Sequence, residues 1–446
     1  MKGEFLKMKL EIGNFHVKDI IFGSETGYKD GILTVNKEEA LAVLNPDGKL
    51  INVDIHIARP GERVRILPIK TVVEARARLD GRAAFPGFTG ATAACGDGVL
   101  YALKNMSVMA VGKYGGWPEG MVDMSGPAAE LTHYADVINL VFTAESTDPN
   151  ENRGDASVKT NMDYRIGAHL LAEYLGKTVL TQEPEAWECY ELSDVSEKKL
   201  PRVVLITQHV TSSRLPGEYN DMFYGVDTRY LVPTLIHPNE MLDGCMCSSS
   251  STVACSQNST YSYQNYPMIK KLYSGHGKDI DFVGVIINSS FEDTEERKER
   301  AAIRITTIAK MLGCDAAIYS QLAGGHCDVE LFINLIKLEE AGIKSVGMCS
   351  ENPGRDGITQ SKTMLDARAD AIVSTGSNAQ AIELPPMDTV IGDLNSIGRD
   401  RYPGAWEYDY ILGPSLRPDG SLIVDRRIIL DNDGAPGWSN KTCKDF

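Results

Sequence analysis

The sequence has no long apolar run: no window of about 18 uninterrupted apolar residues, the length needed to cross a bilayer, occurs in its 446 residues. The N-terminus, MKGEFLKMKLEIGNF, also lacks the apolar stretch and the small-residue cleavage site of a secretory signal. Positive charge is scarce, because 61 acidic residues outnumber 45 Lys and Arg residues and give a formal net charge of −16. We therefore expect a cytoplasmic protein that binds neither membranes nor nucleic acid.

A regular, even-numbered cysteine framework and phosphate-binding loops are missing as well. The nine cysteines are an odd number and most are dispersed, so a disulfide framework is not expected in a chain without a secretory signal. The glycines of CGDG and GKYGG complete neither GxGxxG nor a P-loop. We expect reduced thiols and no nucleotide cofactor.

The length of the chain is sufficient for two or three packed units. Residues 1–75 alternate apolar and polar positions in short runs such as LINVDIHIA, which is typical of a β-rich N-terminal unit. Residues 76–200 form a Gly-rich, looped middle of mixed α+β character, with loops expected over 85–127 and a helix over 161–175. Residues 201–446 follow as an α/β domain.

Strand-like and helical stretches alternate in this C-terminal half. The apolar run PRVVLITQHV is followed by DFVGVIINSS, DAAIYSQ, KSVGMCS and DAIVSTG, with helical stretches between the last four near 294–312, 329–341 and 359–369. Such alternation, at roughly 30 residues per step, indicates a parallel sheet flanked by helices, and the fold class is α/β. Because ligands bind at the carboxyl ends of parallel strands, we expect the polar strand ends to converge on a cleft: Asn288–Ser290, Gln321–Asp328, Ser350–Asn352 and Ser374–Asn378.

An unusual segment rich in serine and cysteine occupies residues 237–267, HPNEMLDGCMCSSSSTVACSQNSTYSYQNYP. A serine run is most often an exposed linker, but this one is embedded among strand-forming residues and follows a His-Pro-Asn-Glu turn. Its Cys-x-Cys motif could begin a zinc site with Cys255, His237 and His276, yet no paired spacing completes the four ligands that zinc needs. A catalytic Cys–His pair is a third possibility, for which the sequence shows no adjacency. We expect no metal site.

The same segment resembles a known family. HPNEMLDG, VAC, NSTY and QNYP are similar to the processing region of the component B subunit of glycine, sarcosine and betaine reductases. The resemblance continues upstream through HIARPGERVRI, VGKYGGWPEGMVDMSGP and TQHVTSSRLPGEYNDMFYGVD, and downstream through the α/β half. It therefore covers nearly the whole chain.

The resemblance implies a precursor that processes itself. Family precursors are cut in this segment, and the residue that begins the C-terminal piece becomes a pyruvoyl group through attack of its side chain on the preceding carbonyl and β-elimination. The resulting carbonyl would withdraw electrons from an amine substrate, as pyridoxal does. Ser250 and Ser251 stand where the family has Asn-Cys, and serine is the weaker nucleophile at neutral pH. We expect cleavage between Ser250 and Ser251, just before Thr252, with Ser251 as the pyruvoyl precursor. If the alignment with the family is shifted, the precursor would be Cys245, Cys247 or one of Ser248–Ser250.

Three further residues of the segment are candidates for a part in processing. Cys255 would act in maturation or face a partner, unless it is a buried thiol. His237 and Asn239 would supply a base or an oxyanion donor, although a turn fixed by proline explains them equally well.

Substrate binding is expected farther along the chain. The resemblance implies an amine substrate, which His326 and Asp328, beside Gly324 and Gly325, could bind at a strand end; a helix cap by Asp328 is the alternative. The pairs Glu351 with Arg355 and Asp393 with Arg399 could each clamp a zwitterion, or form surface salt bridges.

The resemblance also implies a hetero-oligomeric complex. A selenocysteine-containing component B subunit would displace the amine, and small selenoprotein A would receive the carboxymethyl group. Glycine or sarcosine would form an imine with the carbonyl, whereas quaternary betaine cannot, and the sequence leaves the amine open. Two other functions stay open: an uncleaved binding or scaffold paralogue, and a Cys-dependent hydrolase.

Overall fold

The computed structural model describes a mixed α/β protein. The described residues are 8–113, 120–147, 161–211, 220–248, 258–291, 294–322, 324–353, 358–369, 371–377, 379–399, 408–409, 413–432, 434 and 436–438. None of the helices within these ranges is both long and apolar enough to cross a membrane.

The helices and strands follow one another along the whole described chain. The helices are Lys37–Leu44 (α1), Asn161–Gly176 (α2), Pro238–Leu242 (α3), Thr260–Gln264 (α4), Pro267–Gly275 (α5), Glu295–Leu312 (α6) and His326–Glu340 (α7). The strands of the first half are Lys9–His16 (β1), Asp19–Phe22 (β2), Gly27–Lys29 (β3), Ile32–Val35 (β4), Leu50–Ala58 (β5), Val64–Val73 (β6), Arg76–Arg78 (β7), Gly98–Lys104 (β8), Met106–Val111 (β9), Gly120–Asp123 (β10), Ile138–Ser146 (β11) and Ala186–Glu191 (β12). Those of the second half are Arg202–Thr211 (β13), Met222–Phe223 (β14), Val226–Asp227 (β15), Thr234–Ile236 (β16), Met246–Cys247 (β17), Asp281–Phe291 (β18), Ala316–Ser320 (β19), Lys344–Glu351 (β20), Ile372–Ser377 (β21), Ala381–Leu384 (β22), Thr389–Gly392 (β23), Tyr408–Asp409 (β24), Gly413–Pro414 (β25) and Leu422–Asp425 (β26).

Two sheets dominate the N-terminal half, as the alternating pattern predicts. A four-stranded sheet has the order β12-β1-β8-β7, and a six-stranded sheet has the order β10-β6-β9-β11-β5, with β23 added beside β6. Strand β6 is buried along its whole length, because it lies inside this sheet and α2 packs across it. Strand pairing thus joins elements of all three predicted units: β12 pairs with β1, and β23 pairs with β6.

Helix α2 lies unusually close to the N-terminal strands. A Cβ atom added at Gly176 would lie 2.3 Å from the backbone carbonyl carbon of Arg76, so only glycine allows this approach. The buried face of α2, with Tyr164, Ala168 and Leu171, packs into the same core as the strands. The helix predicted over 161–175 is confirmed. Its close packing holds its inward-facing side chains in the interior of the protein.

The C-terminal sheet confirms the predicted parallel arrangement. Its order is β16-β18-β13-β19-β20-β21, in which every pair is parallel except the antiparallel edge pair of β16 and β18. Helices α6 and α7 cover one face, while strands β1 and β8 pack on the other face. Since β18 lies on one side of β13 and β19 on the other, the strand order reverses at β13, and the carboxyl end of β13 is where such sheets open a crevice.

Two local expectations need correction. The helix predicted near 359–369 is wrong, because residues 358–369 form turns and irregular structure. Their polar groups bond to the sheet end instead: Thr363 N donates to Asp328 (2.8 Å) and the Ser361 carbonyl accepts from Asn352 N (3.1 Å). The glycine-rich stretch 85–127 contains loops as expected, but also the buried strands β8, β9 and β10.

Candidate functional site

Within the serine-rich segment, the stretch that carries the expected junction, residues 249–257, is flanked by two buried residues, and from here on "the segment" means this stretch. Ser248, just after β17, is 1% exposed, and Asn258, just before α4, is 3% exposed. Residues 249–257 between them lie outside the described residues, and so do the predicted site residues Ser250, Ser251, Thr252 and Cys255. A solvated linker would leave from exposed ends, so the burial of both ends argues against a simple linker.

The first end is held by a chain of hydrogen bonds. Ser248 N donates to Thr260 Oγ1 (2.9 Å), which lies 3.0 Å from His169 Nε2, and His169 Nδ1 lies 2.7 Å from the Arg165 carbonyl oxygen. A carbonyl only accepts, so Nδ1 carries the proton and Nε2 accepts from the Thr260 hydroxyl. Burial lowers the pKa of His169 to about 3, and the imidazole is therefore neutral near pH 7.

Arg165 reaches the same end from α2. It is fully buried, its Nε donates to the Ser248 carbonyl oxygen (2.8 Å), and its guanidinium lies 5.1 Å from the ring centre of Phe88. Phe85 and Phe88 meet His169 edge-on, with ring centres 4.6 and 4.7 Å away. The last described carbonyl before the segment is therefore bonded to a cation in largely apolar surroundings, where electrostatic interactions are strong.

A second buried group stands at the carboxyl end of β13. His209 Nδ1 lies 2.8 Å from an Asp221 carboxylate oxygen, and the Tyr263 hydroxyl donates to that same oxygen. Burial and the nearby Asp221 carboxylate raise the pKa of Tyr263 well above its usual value. Thr207 Oγ1, 3.1 Å from His209 Nε2, completes the group. It lies at the point where the strand order reverses, the usual place of a ligand site in such sheets.

The second end of the segment adjoins another polar cluster. Ser259 caps α4 by accepting from Ser262 N (3.0 Å), and the Ser262 hydroxyl donates to Asp431. The Tyr134 hydroxyl donates to the same Asp431 oxygen (2.7 Å). Burial raises the pKa of Asp431 to about 6. Residues close to the C-terminus therefore hold the start of α4.

We expect the Asp431→Asn variant to lose part of the pH dependence of folding. The folded protein holds the Asp431 proton more tightly than the unfolded chain, so the contribution of Asp431 to the free energy of unfolding falls as the pH rises from about 4 to about 6 and is level above. Asparagine still accepts both hydrogen bonds and tolerates the positive φ of 57° at this position. Relative to wild type, the variant should gain up to about 3 kcal/mol across this interval.

Urea unfolding at pH 4, 5, 6 and 7 measures this difference. His133, 3.8 Å from the Asp431 carboxylate, stays neutral over this range because burial lowers its pKa to about 3. The matched control is Asp47→Asn, which changes a carboxylate that is 74% exposed and should leave the pH dependence as it is. Parallel curves for Asp431→Asn and wild type would refute the expectation.

The two cysteine alternatives are unfavourable nucleophiles. Cys245 and Cys247 are 1% exposed, and burial raises the pKa of both thiols. A thiol kept protonated is neither a good nucleophile nor a ready metal ligand. Within the part of the chain that the structure describes, no three His, Cys, Asp or Glu side chains are grouped to hold a metal ion.

His237 and Asn239 have structural roles at the start of α3. His237 is the N-cap of α3, with Glu240 completing a capping box, and burial lowers the pKa of its imidazole to about 4. Asn239 donates to the carbonyl oxygens of Met8, Gly96 and Tyr190 and accepts from Tyr273. None of these hydrogen bonds involves Ser248 or Asn258.

The expected substrate residues stand at the carboxyl edge of the C-terminal sheet. His326 begins α7 and lies 3.3 Å from Lys298 Nζ, and burial together with this lysine lowers the pKa of His326 to about 4. Asp328 is buried and accepts from Gln321, Lys362 and two backbone NH groups. Glu351 accepts from Ser374 (2.5 Å), while Arg355 lies outside the described residues. These contacts join strand ends to one another but do not reach Ser248 or Asn258.

Sequence reasoning missed the residues that surround the segment ends. Arg165 and His169 are polar residues four apart on the buried face of the predicted helix, and that departure from an apolar face is a usable signal. His209 is the second-last residue of the apolar run PRVVLITQHV. The rule that ligands bind at the carboxyl ends of parallel strands therefore applies to it as well. Thr260 and Tyr263 carry no comparable signal, because their role depends on the packing of α4 against distant elements.

Comparison with known proteins gives a uniform result. The family model of glycine/sarcosine/betaine reductase component B subunits matches residues 8–444. The chain is 42% identical to the betaine reductase complex component B subunit alpha of Peptoclostridium acidaminophilum, and 37% and 32% identical to that organism's glycine reductase complex component B subunits alpha and beta and its sarcosine reductase complex component B subunit alpha. Each match covers 98% of this chain and 100% of the relative. No solved structure matches. This agreement in sequence from end to end shows that the chain belongs to the family of glycine/sarcosine/betaine reductase component B subunits.

Proposed function

We propose that this chain is the substrate-specific subunit of a complex that reductively removes the amine from glycine or an N-methylated glycine. In this proposal, residues 249–257 are the reacting segment and Ser251 becomes a pyruvoyl group. A selenocysteine-containing subunit and a small selenoprotein are the proposed partners. The Cα–N bond of the substrate breaks, and the partner's selenium takes the carboxymethyl group.

The burial of both ends of the segment is the observation that carries this proposal. Ser248 and Asn258 lie inside the protein, and the backbone of Ser248 is bonded on both sides, by Thr260 at its NH and by Arg165 at its carbonyl. A backbone rearrangement needs a fixed backbone, hydrogen-bond donors close to developing negative charge and little competing water. The ends of the segment supply such an environment.

The residues at the ends also fit a pyruvoyl carbonyl. Such a group accepts hydrogen bonds, which suits a site beside the buried Arg165 guanidinium. It carries no charge, which suits the nearby rings of Phe85 and Phe88. When bound in the protein, it would supply an electron-withdrawing carbonyl for an amine. Neutral His169, which accepts at Nε2, would keep Thr260 oriented toward the end of the segment.

Mass spectrometry of the denatured, assembled protein tests the processing. We expect two fragments, the first ending at Ser250 and the second beginning at Ser251, and we expect hydrazine to add to the second because only a carbonyl reacts. The Ser251→Ala variant should stay in one piece, whereas Ser249→Ala, two residues away in the same tract, should be cut as in wild type. A wild-type chain of full length that takes up no hydrazine would contradict the pyruvoyl proposal.

A second candidate is the same subunit acting as an intact chain. Its support is the Ser-Ser sequence at the expected junction and the names of the relatives: the glycine reductase relatives are "subunits alpha and beta", whereas the betaine and sarcosine reductase relatives are "subunit alpha" alone. A quaternary ammonium has no N–H with which to condense with a carbonyl, and it already leaves as a neutral amine. A betaine-type substrate therefore needs no pyruvoyl group, and the full-length result above would favour this candidate.

A further inference from the structure

Three aromatic rings from distant parts of the chain stack beside α4. The His133 ring lies 3.7 Å from the Trp438 ring centre with 14° between the planes, and 5.7 Å from the Tyr261 ring centre with 25° between the planes. His133 and Trp438 lie far apart in the sequence and are brought together only by the tertiary fold. Tyr261 stands three residues after Asn258, so this aromatic stack adjoins the second end of the serine-rich segment.

The aromatic stack carries no positive charge of its own. Burial lowers the pKa of His133 to about 3, and among the described residues neither of its ring nitrogens has a hydrogen-bond partner. The Asp431 carboxylate lies 3.8 Å from His133 Nε2. Aromatic faces attract cations, Trp most strongly, and the neutral imidazole does not oppose that attraction.

An open cavity of about 510 Å³ lies against these rings. Its lining includes the rings of Trp438 and Tyr261, the latter only 7% exposed, and the side chains of Lys270 and Lys271 of α5. Asn265, Pro267 and Ser274 complete the lining. Lys270 Nζ is bonded to Glu188 (3.0 Å) and Asn265 (3.3 Å), whereas Lys271 is exposed. Aromatic rings and ammonium groups that line the same pocket suit a zwitterion, with its cation at the rings and its carboxylate at the lysines.

We propose that this aromatic–lysine pocket binds a quaternary ammonium carboxylate of the betaine class, and that Trp438 and Tyr261 select it over glycine. The inference rests on the proposed role as substrate-specific subunit, but not on cleavage of the chain. A primary ammonium has three N–H donors that aromatic faces leave without acceptors, which is costly once water is displaced. A trimethylated ammonium has no donors and gives up its water more easily.

Calorimetric titration of the full chain with glycine betaine tests the proposal. Trp438→Leu should weaken the Kd for betaine by about tenfold or more, because the strongest cation–π contact is lost. Tyr261→Phe, which retains the ring, should stay within about twofold of wild type. Trp187→Leu is the matched control, since Trp187 is 52% exposed and lies outside the pocket.

Tetramethylammonium and acetate test the cation contacts and the carboxylate contacts of the pocket separately. Tetramethylammonium binding should be weakened by Trp438→Leu and left alone by Lys271→Gln, and acetate binding should show the reverse. If Trp438→Leu folds poorly, two other variants make the same test: Trp438→Phe, which has a smaller ring face, and Lys271→Gln. Each should weaken betaine binding severalfold. Unchanged betaine affinity in folded Trp438 variants, or equal affinity for glycine and betaine, overturns the proposal.

The proposed function fails in a different way from this inference. If the chain binds betaine as described but neither joins the selenocysteine-containing subunit nor supports release of trimethylamine, the pocket is right and the role of the subunit is wrong. If the complex releases trimethylamine at the wild-type rate with Trp438→Leu, the role of the subunit is right and the pocket is wrong.

Discussion

Replacing Lys362 by methionine is expected to lower the free energy of unfolding by about 3–5 kcal/mol. Lys362 Nζ is buried and bonds to the Asp328 carboxylate (3.1 Å), the Gln321 side-chain oxygen (3.2 Å) and the Ser350 carbonyl oxygen (2.6 Å). Methionine has a similar length but no charge, so Asp328 is left as an uncompensated charge in the interior. Chemical denaturation at pH 7 measures the loss.

Two further variants separate this ion pair from general damage. Lys362→Met combined with Asp328→Asn should recover part of the loss, because asparagine still accepts from the backbone NH groups of Gly325 and Thr363 without a buried charge. Lys344→Met removes a lysine that is 79% exposed and should change stability by less than about 0.5 kcal/mol. Equal, small effects at Lys362 and Lys344 would mean that the buried pair contributes nothing.

This lysine also explains where sequence reasoning failed in the fold. Residues 359–369 have helical spacing, but local propensity is a weak prior that tertiary contacts override. Because Lys362 enters the interior and Thr363 N bonds to Asp328, the backbone follows the end of the sheet instead of its own helical hydrogen bonds. Neither contact is visible in the sequence, since Asp328 lies 34 residues away.

Strand runs were easier to predict than the site. The parallel strands β13, β18 and β19 follow from apolar runs, which are typical of a sheet covered on both faces, whereas β21 at the edge of the sheet is exposed or half-buried along its length. Polar strand ends also met as expected, for example Glu351 of β20 with Ser374 of β21 (2.5 Å). The same rule applies to β13, whose carboxyl end carries His209.

The surroundings of the serine-rich segment required the structure. Arg165 and His169 come from α2, Thr260 comes from α4, and their meeting at Ser248 depends on packing across about 90 residues of chain. The sequence gives residue types but not which buried donor finds which acceptor. His237 and Asn239, nearer in sequence to the serines, instead cap α3 and tie it to the N-terminal half.

Replacing Thr260 by valine is expected to reduce both stability and function. Valine has the shape of threonine but no hydroxyl, so Ser248 N and His169 Nε2 would each lose a buried partner, at about 1–3 kcal/mol each. We expect a total loss of about 2–6 kcal/mol in urea unfolding. On the proposed function, amine release by the assembled complex should also fall by about tenfold or more at a temperature where the variant is folded, since small displacements of reacting groups are costly.

Comparison with two other threonine variants decides whether the hydroxyl is responsible. Thr260→Ser keeps the donor and acceptor and removes one methyl group, so it should cost only about 1 kcal/mol and retain most of the activity. Thr307→Val removes an exposed hydroxyl that bonds only within α6 and should be nearly neutral in both assays. Were Thr260→Val to lose stability but keep wild-type activity, the hydrogen-bond chain to His169 would be structural only.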